Sequence, residues 1–230
     1  IRDREQPKNK TAVALVGCDR PDYYEKVVQS LAHQVKSHPV YAFLDFKDRA
    51  SQEAHIRITE QYIPHAAMYL RNGNWGCGRN IVHARDTLLN ILGFEQAFVF
   101  EDDLIVSKDY IILMERLMAW ATENYCNVGA DQGWNPCLHR AKDKEARLGV
   151  VEATQCNWWG YLIRREAWMA IRDRMMELCD KFLMCDYAER HIPAITSWMK
   201  DWRVEHGMKQ IPGIQYPGHI DYAEDMARHW

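Results

Sequence analysis

The stretch "TAVALVGCDRPDYYEKVVQSLAHQ", residues 11–34, decides the fold class. Its first seven residues form an apolar run with the length and composition of a buried strand. A glycine and a proline, Gly17 and Pro21, then break the run. The apolar residues beyond this turn recur at the spacing of a helix: Tyr24, Val27, Val28 and Leu31. The stretch therefore predicts a strand, a polar loop and a helix.

The same succession continues downstream. "HPVYAFLDF", residues 38–46, predicts a second strand, and "RITEQYIPHAAMYLR", residues 57–71, a helix followed by a short strand. A glycine-rich loop, "NGNWGCGRN" (residues 72–80), precedes another helix, and "QAFVF" (residues 96–100) predicts a further buried strand. Alternation of strands and helices is typical of βαβ units. We therefore predict an α/β protein with a Rossmann-like, mostly parallel central sheet flanked by helices, and with a smaller portion after it.

Length and charge limit the class of protein. A chain of 230 residues has the size of one domain with a sizeable core. The formal net charge is −3 and the isoelectric point is near 6.4, so no global electrostatic attraction to nucleic acid or to an anionic membrane is expected. No apolar run approaches the roughly 20 residues of a membrane span.

The cysteines and the first residues bear on the compartment. Seven cysteines, an odd count with no CxxC pair, favour free thiols in a reducing compartment. The polar start "IRDREQPKNK" does not have the pattern of a signal peptide. We therefore expect a cytoplasmic protein. The chain does not begin with Met and could be part of a longer protein.

Three polar loops follow predicted strands. They are "CDRPD" (residues 18–22), "DFKD" (45–48) and "EDD" (101–103). In parallel α/β sheets, ligands bind beyond the carboxyl ends of the strands. The three loops together therefore predict a single binding site.

The acidic loop has two interpretations. Glu101, Asp102 and Asp103 repel one another unless a cation compensates them, and Mg²⁺ or Mn²⁺ prefers carboxylate oxygens while leaving positions open for phosphate. The alternative is a solvated turn whose acids cap the helix that follows. The preceding strand and the glycine-rich loop favour the metal.

These motifs together resemble a known family. "CDRPDYYEKVVQSL", "FLD", "NWGCGRN" and "FVFEDDLIVSKDYI", in this order, are similar to GT-A glycosyltransferases. The similarity is greatest to the N-acetylglucosaminyltransferase that initiates hybrid and complex N-glycans and to related bacterial and viral enzymes. It continues weakly through "NWWGYLIRREAW" and "FLMCDYAERH". The acidic, DXD-like element within its flanks is its most specific part.

The resemblance implies a metal-dependent hexosyltransferase that uses a UDP-sugar and Mn²⁺ or Mg²⁺. It implies one catalytic domain, with a nucleotide-sugar-binding half at residues 11–104 and an acceptor-side half at 105–230. Asp103 would then bind the metal and Asp102 the ribose or sugar of the donor, with Glu101 in support.

The resemblance also places the nucleotide on the first two strand ends. Cys18 and Arg20 would line uracil and phosphate, and Asp45 would accept a hydrogen bond from the base. A guanidinium suits phosphate and a carboxylate suits an N–H donor. Arg79, with Asn80, begins the helix after the glycine-rich loop, where N–H groups favour anions. The alternatives are a surface ion pair between Arg20 and Asp19, a turn cap at Asp45 and a plain tight turn in the glycine-rich loop.

Inverting transfer requires a base for the acceptor hydroxyl. The resemblance places it in "FLMCDYAERH", which makes Asp186 the candidate and Glu189 the second choice; an N-cap role for Asp186 stays open. Trp158 and Trp159 could form a platform for the acceptor sugar, although either could belong to the core. His219, in "YPGHID", is the candidate late histidine on the metal or diphosphate, or else a surface residue.

Two other functions stay open. A nucleotidyltransferase would form the sugar nucleotide, but "VGCDRPDYY" lacks the long glycine-rich signature of that class. A non-catalytic sugar- or nucleic-acid-binding module could use "HRAKDKEAR", residues 139–147, whose mixed charges also suit a solvated loop. The leading hypothesis is transfer to an acceptor hydroxyl of a glycan, a polymer or a modified nucleic acid.

Overall fold

The computed structural model of the chain describes residues 10–121, 127–128, 160–185, 189–191, 193–195, 197–198 and 201. The strands are β1 (Thr11–Gly17), β2 (Val40–Leu44), β3 (Ala67–Leu70), β4 (Gln96–Phe100), β5 (Asn127–Val128) and β6 (Tyr161–Arg164). The main helices are α1 (Pro21–Ala32), α2 (Arg49–Tyr62), α3 (Gly76–Arg85), α4 (Tyr110–Trp120) and α5 (Arg165–Leu178). Helices α3 and α5 each continue into a π-helical turn, Asp86–Ile91 and Cys179–Leu183.

The strands form one sheet in the order β3-β2-β1-β4-β6-β5. The pairs β1–β2, β1–β4 and β2–β3 are parallel, whereas β6 runs antiparallel to β4 and β5 antiparallel to β6. The predicted α/β class, with a mostly parallel sheet flanked by helices, is confirmed. The antiparallel edge lies beyond β4, in the part of the chain where the alternation of strands and helices ends.

Both faces of the sheet are buried. Strand β1 shows this most simply, since Ala12 and Ala14 belong to one apolar cluster and Val13 and Leu15 to the other. The first cluster lies under α3 and α5, and the second under α1 and α4. A strand that is buried on both sides has a continuous apolar sequence, which is why β1 was recognisable from its residues alone.

The order of the strands creates a crevice. From β1 the chain adds β2 and then β3 on one side, and it then returns to place β4 on the other side of β1. The loops that leave the carboxyl ends of β1 and β4 therefore diverge, and such a switch point is where open α/β sheets bind ligands.

The bounds of three elements differ from the sequence prediction. Strand β2 is shorter than the predicted 38–46, and Pro39 before it contributes only its carbonyl, which accepts from the Val13 N–H at 2.9 Å. The helix predicted to follow the glycine-rich loop at 72–80 already begins at Gly76, within that segment, and it ends in the π-helical turn before Gly93, whose φ is 78°. Helix α2 begins at Arg49, ahead of the segment 57–71 in which the sequence predicts it. None of the helices in the described part of the chain has the length and hydropathy needed to cross a bilayer.

Candidate functional site

A cleft of about 310 Å³ lies at the switch point. It combines the ends of β1, β2 and β4 with the first turn of α3, as the three polar loops predict. The residues that line it are Val16, Gly17, Cys18, Asp19, Arg20, Asp45, Lys47, Asn74, Gly76, Cys77, Asn80, Glu101 and Asp102. Four of the predicted site residues, Cys18, Arg20, Asp45 and Asp102, are thus brought together.

Asp45 connects the end of β2 to the glycine-rich loop. Its side chain is 2% exposed. Oδ1 accepts from the backbone N–H groups of Phe46 at 2.9 Å and Trp75 at 2.8 Å, and Oδ2 accepts from the Gly76 N–H at 2.7 Å. Gly76 has φ of 70°, a conformation that favours glycine. The carboxylate therefore occupies N–H groups at the start of α3, which a bound anion would otherwise use.

Arginines hold the same loop from the other side. The guanidinium carbons of Arg71 and Arg79 lie 4.1 and 3.8 Å from the centroid of the Trp75 ring. Arg190 donates to the backbone carbonyl of Trp75. Arg79 also donates to the carbonyl of Met184 at 3.5 Å. These contacts fix the loop through both its backbone and its one large side chain.

At the other wall, buried Asp102 forms an ion pair with Arg20, whose side chain is about half exposed. The Asp102 side chain is 7% exposed and accepts a hydrogen bond from Arg20 Nη2. Burial raises the pKa of Asp102 above its ordinary value, even though the charge of Arg20 opposes this shift and Asp103 adds to it. The site therefore does not fully compensate the negative charge of this carboxylate.

Asp103 and Glu101 flank Asp102, and of these two only Glu101 is among the residues that line the cleft. Asp103 Oδ2 lies 3.3 Å from Arg20 Nη2, and its side chain is 44% exposed. Glu101 accepts a hydrogen bond from the Cys77 thiol at 3.1 Å. Arg20 thus contacts both aspartates, while Glu101 is turned towards the glycine-rich loop.

The cleft has an excess of negative charge. Four carboxylates line it (Asp19, Asp45, Glu101 and Asp102), against two cationic side chains (Arg20 and Lys47). Among the described residues, no three His, Cys, Asp or Glu side chains converge as a set that could hold a metal ion. Asp102 and Asp103 supply two carboxylates, which fits the usual mode for Mg²⁺, namely one or two carboxylates with waters and substrate phosphates.

Cys18 lies among these carboxylates. Burial, followed by the charges of Asp45, Asp19 and Asp102, raises the pKa of its thiol to about 12. The thiol therefore stays protonated near neutral pH and is a poor nucleophile. A contact between this neutral thiol and a flat ligand fits better than a covalent role.

The remaining predicted residues have different outcomes. Arg79 is 8% exposed and packs on Trp75, and it is not among the residues that line the cleft; its donor-binding role stays a prediction. Asp186, Trp158, Trp159 and His219 lie outside the described residues. Glu189 is exposed.

The structure adds residues that the sequence analysis missed. Lys47 lines the cleft two positions after Asp45, and its place in the polar loop was the available signal. His55, on α2, packs behind β1 at 1% exposure, with its Nδ1 2.8 Å from the Ser51 carbonyl. No sequence signal identifies His55, because it is one of many polar residues along α2 and nothing in their spacing distinguishes it.

Comparisons with known proteins give distant structural likenesses only. No family model and no curated protein matches the chain. The galactosyltransferase LgtC, in complex with donor and acceptor sugar analogues, is similar at a TM-score of 0.43 and 10% identity, over 76% of this chain and 66% of LgtC. The bifunctional glycosyltransferase WbbM, in its apo form, gives 0.44 and 9%, over 76% of this chain and 34% of WbbM.

A third likeness is to mannosyl-3-phosphoglycerate synthase from Rubrobacter xylanophilus, at a TM-score of 0.49 and 10% identity, over 89% of this chain and 78% of the synthase. The chain spans just under two thirds of the length of LgtC and about a third of WbbM. With TM-scores below 0.5, these likenesses carry no argument about the chemistry of this chain.

Proposed function

We propose that the protein is a metal-dependent glycosyltransferase that transfers a hexose from a UDP-sugar to an acceptor hydroxyl with inversion. The observation that carries this proposal is the meeting of Cys18, Arg20, Asp45 and Asp102 in one cleft at the switch point of the sheet. These residues come from three separate loops of the chain and were predicted to act together from the GT-A resemblance. The resemblance to the enzyme that initiates hybrid and complex N-glycans belongs to this proposal as well.

Each wall of the cleft has a part in holding the donor. Arg20, about half exposed, offers a planar fork of N–H donors that suits a phosphate. Asp45 has a lone pair on Oδ2 beyond its bond to Gly76, so it can accept from the imide of uracil while it holds the loop. The neutral thiol of Cys18 lies beside it and adds no charge to the base pocket.

Asp103 would hold Mn²⁺ or Mg²⁺, with the neighbouring carboxylate of Asp102 and the late histidine His219 as further candidate ligands. Asp102 would also contact the ribose or sugar of the donor, as the resemblance implies. When bound, the cation would neutralise the charge that develops on the leaving diphosphate. In the transfer, the acceptor oxygen attacks the anomeric carbon as the bond to the diphosphate oxygen breaks, and Asp186 takes the hydroxyl proton. Trp158 and Trp159 would pack against the acceptor sugar.

The test is turnover of a panel of nucleotide sugars with Mn²⁺, read as release of the nucleoside diphosphate with and without simple sugar acceptors. We expect release from a UDP-sugar, loss of release on chelation, and a loss of at least about a hundredfold in Asp103→Asn. Asp48→Asn is the matched control, because Asp48 is an exposed cap of α2 whose side chain bonds Ser51.

The same preparation separates the competing functions. Release of pyrophosphate from a nucleoside triphosphate and a sugar phosphate would identify a nucleotidyltransferase instead. Binding of a nucleotide sugar without any turnover, even by hydrolysis, would identify a binding module. Either result would refute the proposed transfer.

A further inference from the structure

Arg20 contacts two neighbouring aspartates, Asp102, which lines the cleft, and Asp103, which lies next to it in the chain. Its Nη2 donates to Asp102 and lies 3.3 Å from Asp103 Oδ2. The guanidinium is therefore the counter-ion of both carboxylates. A divalent cation that binds these carboxylates must compete with Arg20 for the same oxygens, and the two positive charges repel each other.

The backbone of Arg20 is fixed, while its side chain has room to move. The Arg20 carbonyl accepts from the N–H groups of Tyr23 at 3.1 Å and Tyr24 at 2.9 Å, which anchors the residue at the start of α1. The side chain is 45% exposed and lines the cleft. Its guanidinium carbon lies 5.6 Å from the centroid of the Tyr23 ring, so the side chain contacts this exposed ring while it pairs with Asp102.

A phosphate group offers Arg20 an equivalent partner. Carboxylate and phosphate both accept the parallel N–H donors of a guanidinium. If a diphosphate enters the cleft as the guanidinium leaves the aspartates, its phosphate oxygens replace the lost carboxylate acceptors. The free-energy cost of breaking the ion pair is then smallest.

We propose that Arg20 is an exchangeable counter-ion that couples the binding of a divalent cation to the binding of a nucleoside diphosphate. Without nucleotide, Arg20 holds Asp102 and Asp103 and weakens cation binding. With nucleotide, Arg20 turns to the diphosphate, and the aspartates become available to the cation. This role rests on the proposed function for the nature of the nucleotide, and it makes Arg20 a positioning residue as well as a donor contact.

The test measures Mn²⁺ affinity by the electron paramagnetic resonance signal of free Mn²⁺, first with no nucleotide present. We expect Arg20→Gln to bind Mn²⁺ about tenfold more tightly than the wild-type protein, because a charge-assisted but half-exposed contact no longer competes. Lys47→Gln is the matched control, since it removes one positive charge that lines the same cleft. We expect that variant to change the affinity by less than about threefold, because screening weakens a charge that does not contact the aspartates.

The second arm adds UDP. In the wild-type protein UDP tightens Mn²⁺ binding by about tenfold or more, a typical coupling between two sites. We expect this factor to be smaller in Arg20→Gln, because the variant lacks the guanidinium that competes with Mn²⁺ for the aspartates and that would bind the diphosphate of UDP. Arg20→Lys, which keeps the charge without the fork, gives an intermediate factor and serves as the test variant if Arg20→Gln does not fold.

The outcomes are distinct. Equal or weaker Mn²⁺ binding in Arg20→Gln than in Lys47→Gln overturns the exchange, as does an unchanged UDP factor or the absence of measurable binding in every variant. If Mn²⁺ responds to Arg20→Gln as expected but no UDP-sugar is turned over, the cation exchange at Arg20 stands and the proposed glycosyl transfer falls.

Discussion

Asp45→Asn tests whether one carboxylate holds the glycine-rich loop. The substitution keeps the size of the side chain but replaces Oδ2, which accepts from the Gly76 N–H at 2.7 Å, by an amide that also donates. It also removes the charge that strengthens the bonds to Phe46 and Trp75. An unsatisfied buried donor costs about 1–3 kcal/mol.

One neighbour offsets part of this loss. Asn74 Oδ1 lies 3.1 Å from the Gly76 nitrogen and can retain that donor in the variant. We therefore expect Asp45→Asn to lower the free energy of unfolding by about 2 kcal/mol. In a chain of this size such a change lowers the melting temperature by about 4–8 °C.

The assay is urea unfolding, together with hydrogen exchange of the Trp75 and Gly76 amides. A loss of about 2 kcal/mol in local protection corresponds to exchange about thirtyfold faster. Asp48→Asn is the control, because Asp48 lies in the same loop after β2 as Asp45 but does not contact the glycine-rich loop. Its carboxylate caps α2 by accepting from the Ser51 N–H at 2.7 Å, and Asn caps a helix as well as Asp does. If Asp45→Asn is as stable as Asp48→Asn and both amides keep their protection, the carboxylate does not hold the loop.

Three further predictions concern the environment of the cleft. A Cβ on Gly17 would lie 2.8 Å from His55 Cδ2, whereas a Cβ on Gly73 would meet nothing within 4 Å. In urea unfolding, Gly17→Ala should therefore lower the free energy of unfolding by about 1–3 kcal/mol and Gly73→Ala by less than about 0.5 kcal/mol. Equal losses in the two variants would refute the crowding at Gly17. Burial lowers the pKa of His55, so as the pH falls the unfolded chain takes up a proton before the folded protein does. The free energy of unfolding should therefore decrease below about pH 6.5, and His55→Gln should make this decrease smaller in unfolding measured from pH 7.5 to 5. An unchanged pH dependence in the variant would show that His55 is not its source. The pKa of the Cys18 thiol is raised to about 12, so at pH 8 it should react with iodoacetamide far more slowly in the folded protein than after unfolding in urea. Mass spectrometry of the alkylated peptide measures both rates, and equally fast labelling of the folded protein would contradict the raised pKa.

Local pattern was enough for the first half of the fold. Strands β1 and β4 occur at the predicted residues, because a short, continuous apolar run between polar loops is typical of a strand buried on both faces. The apolar spacing of α1 likewise predicted its buried face, which consists of Tyr24, Val27, Val28 and Leu31. The order of the strands and the antiparallel direction of β6 depend on contacts across the sheet, and no local spacing records them.

The candidate site was predictable as a set of residues but not as a set of contacts. The rule on strand ends brought Arg20, Asp45 and Asp102 together. It did not reveal that Arg20 pairs with an aspartate 82 positions away, nor that Asp45 binds backbone N–H groups about 30 positions away. Backbone donors have no side-chain signature, so a carboxylate that serves them cannot be distinguished in the sequence from one that awaits a ligand.

The backbone bonds of Asp45 also bear on how the loop can change between related chains. Because Trp75 and Gly76 are also held through their amides, a change of the side chain at position 75 removes the stacking of Arg71 and Arg79 but leaves the bonds to Asp45 in place. Alanine scanning of residues 72–75 would therefore underestimate the importance of this wall. The residue that encodes its shape lies at the end of a different strand, so selection for the shape of the loop would act on a position outside it.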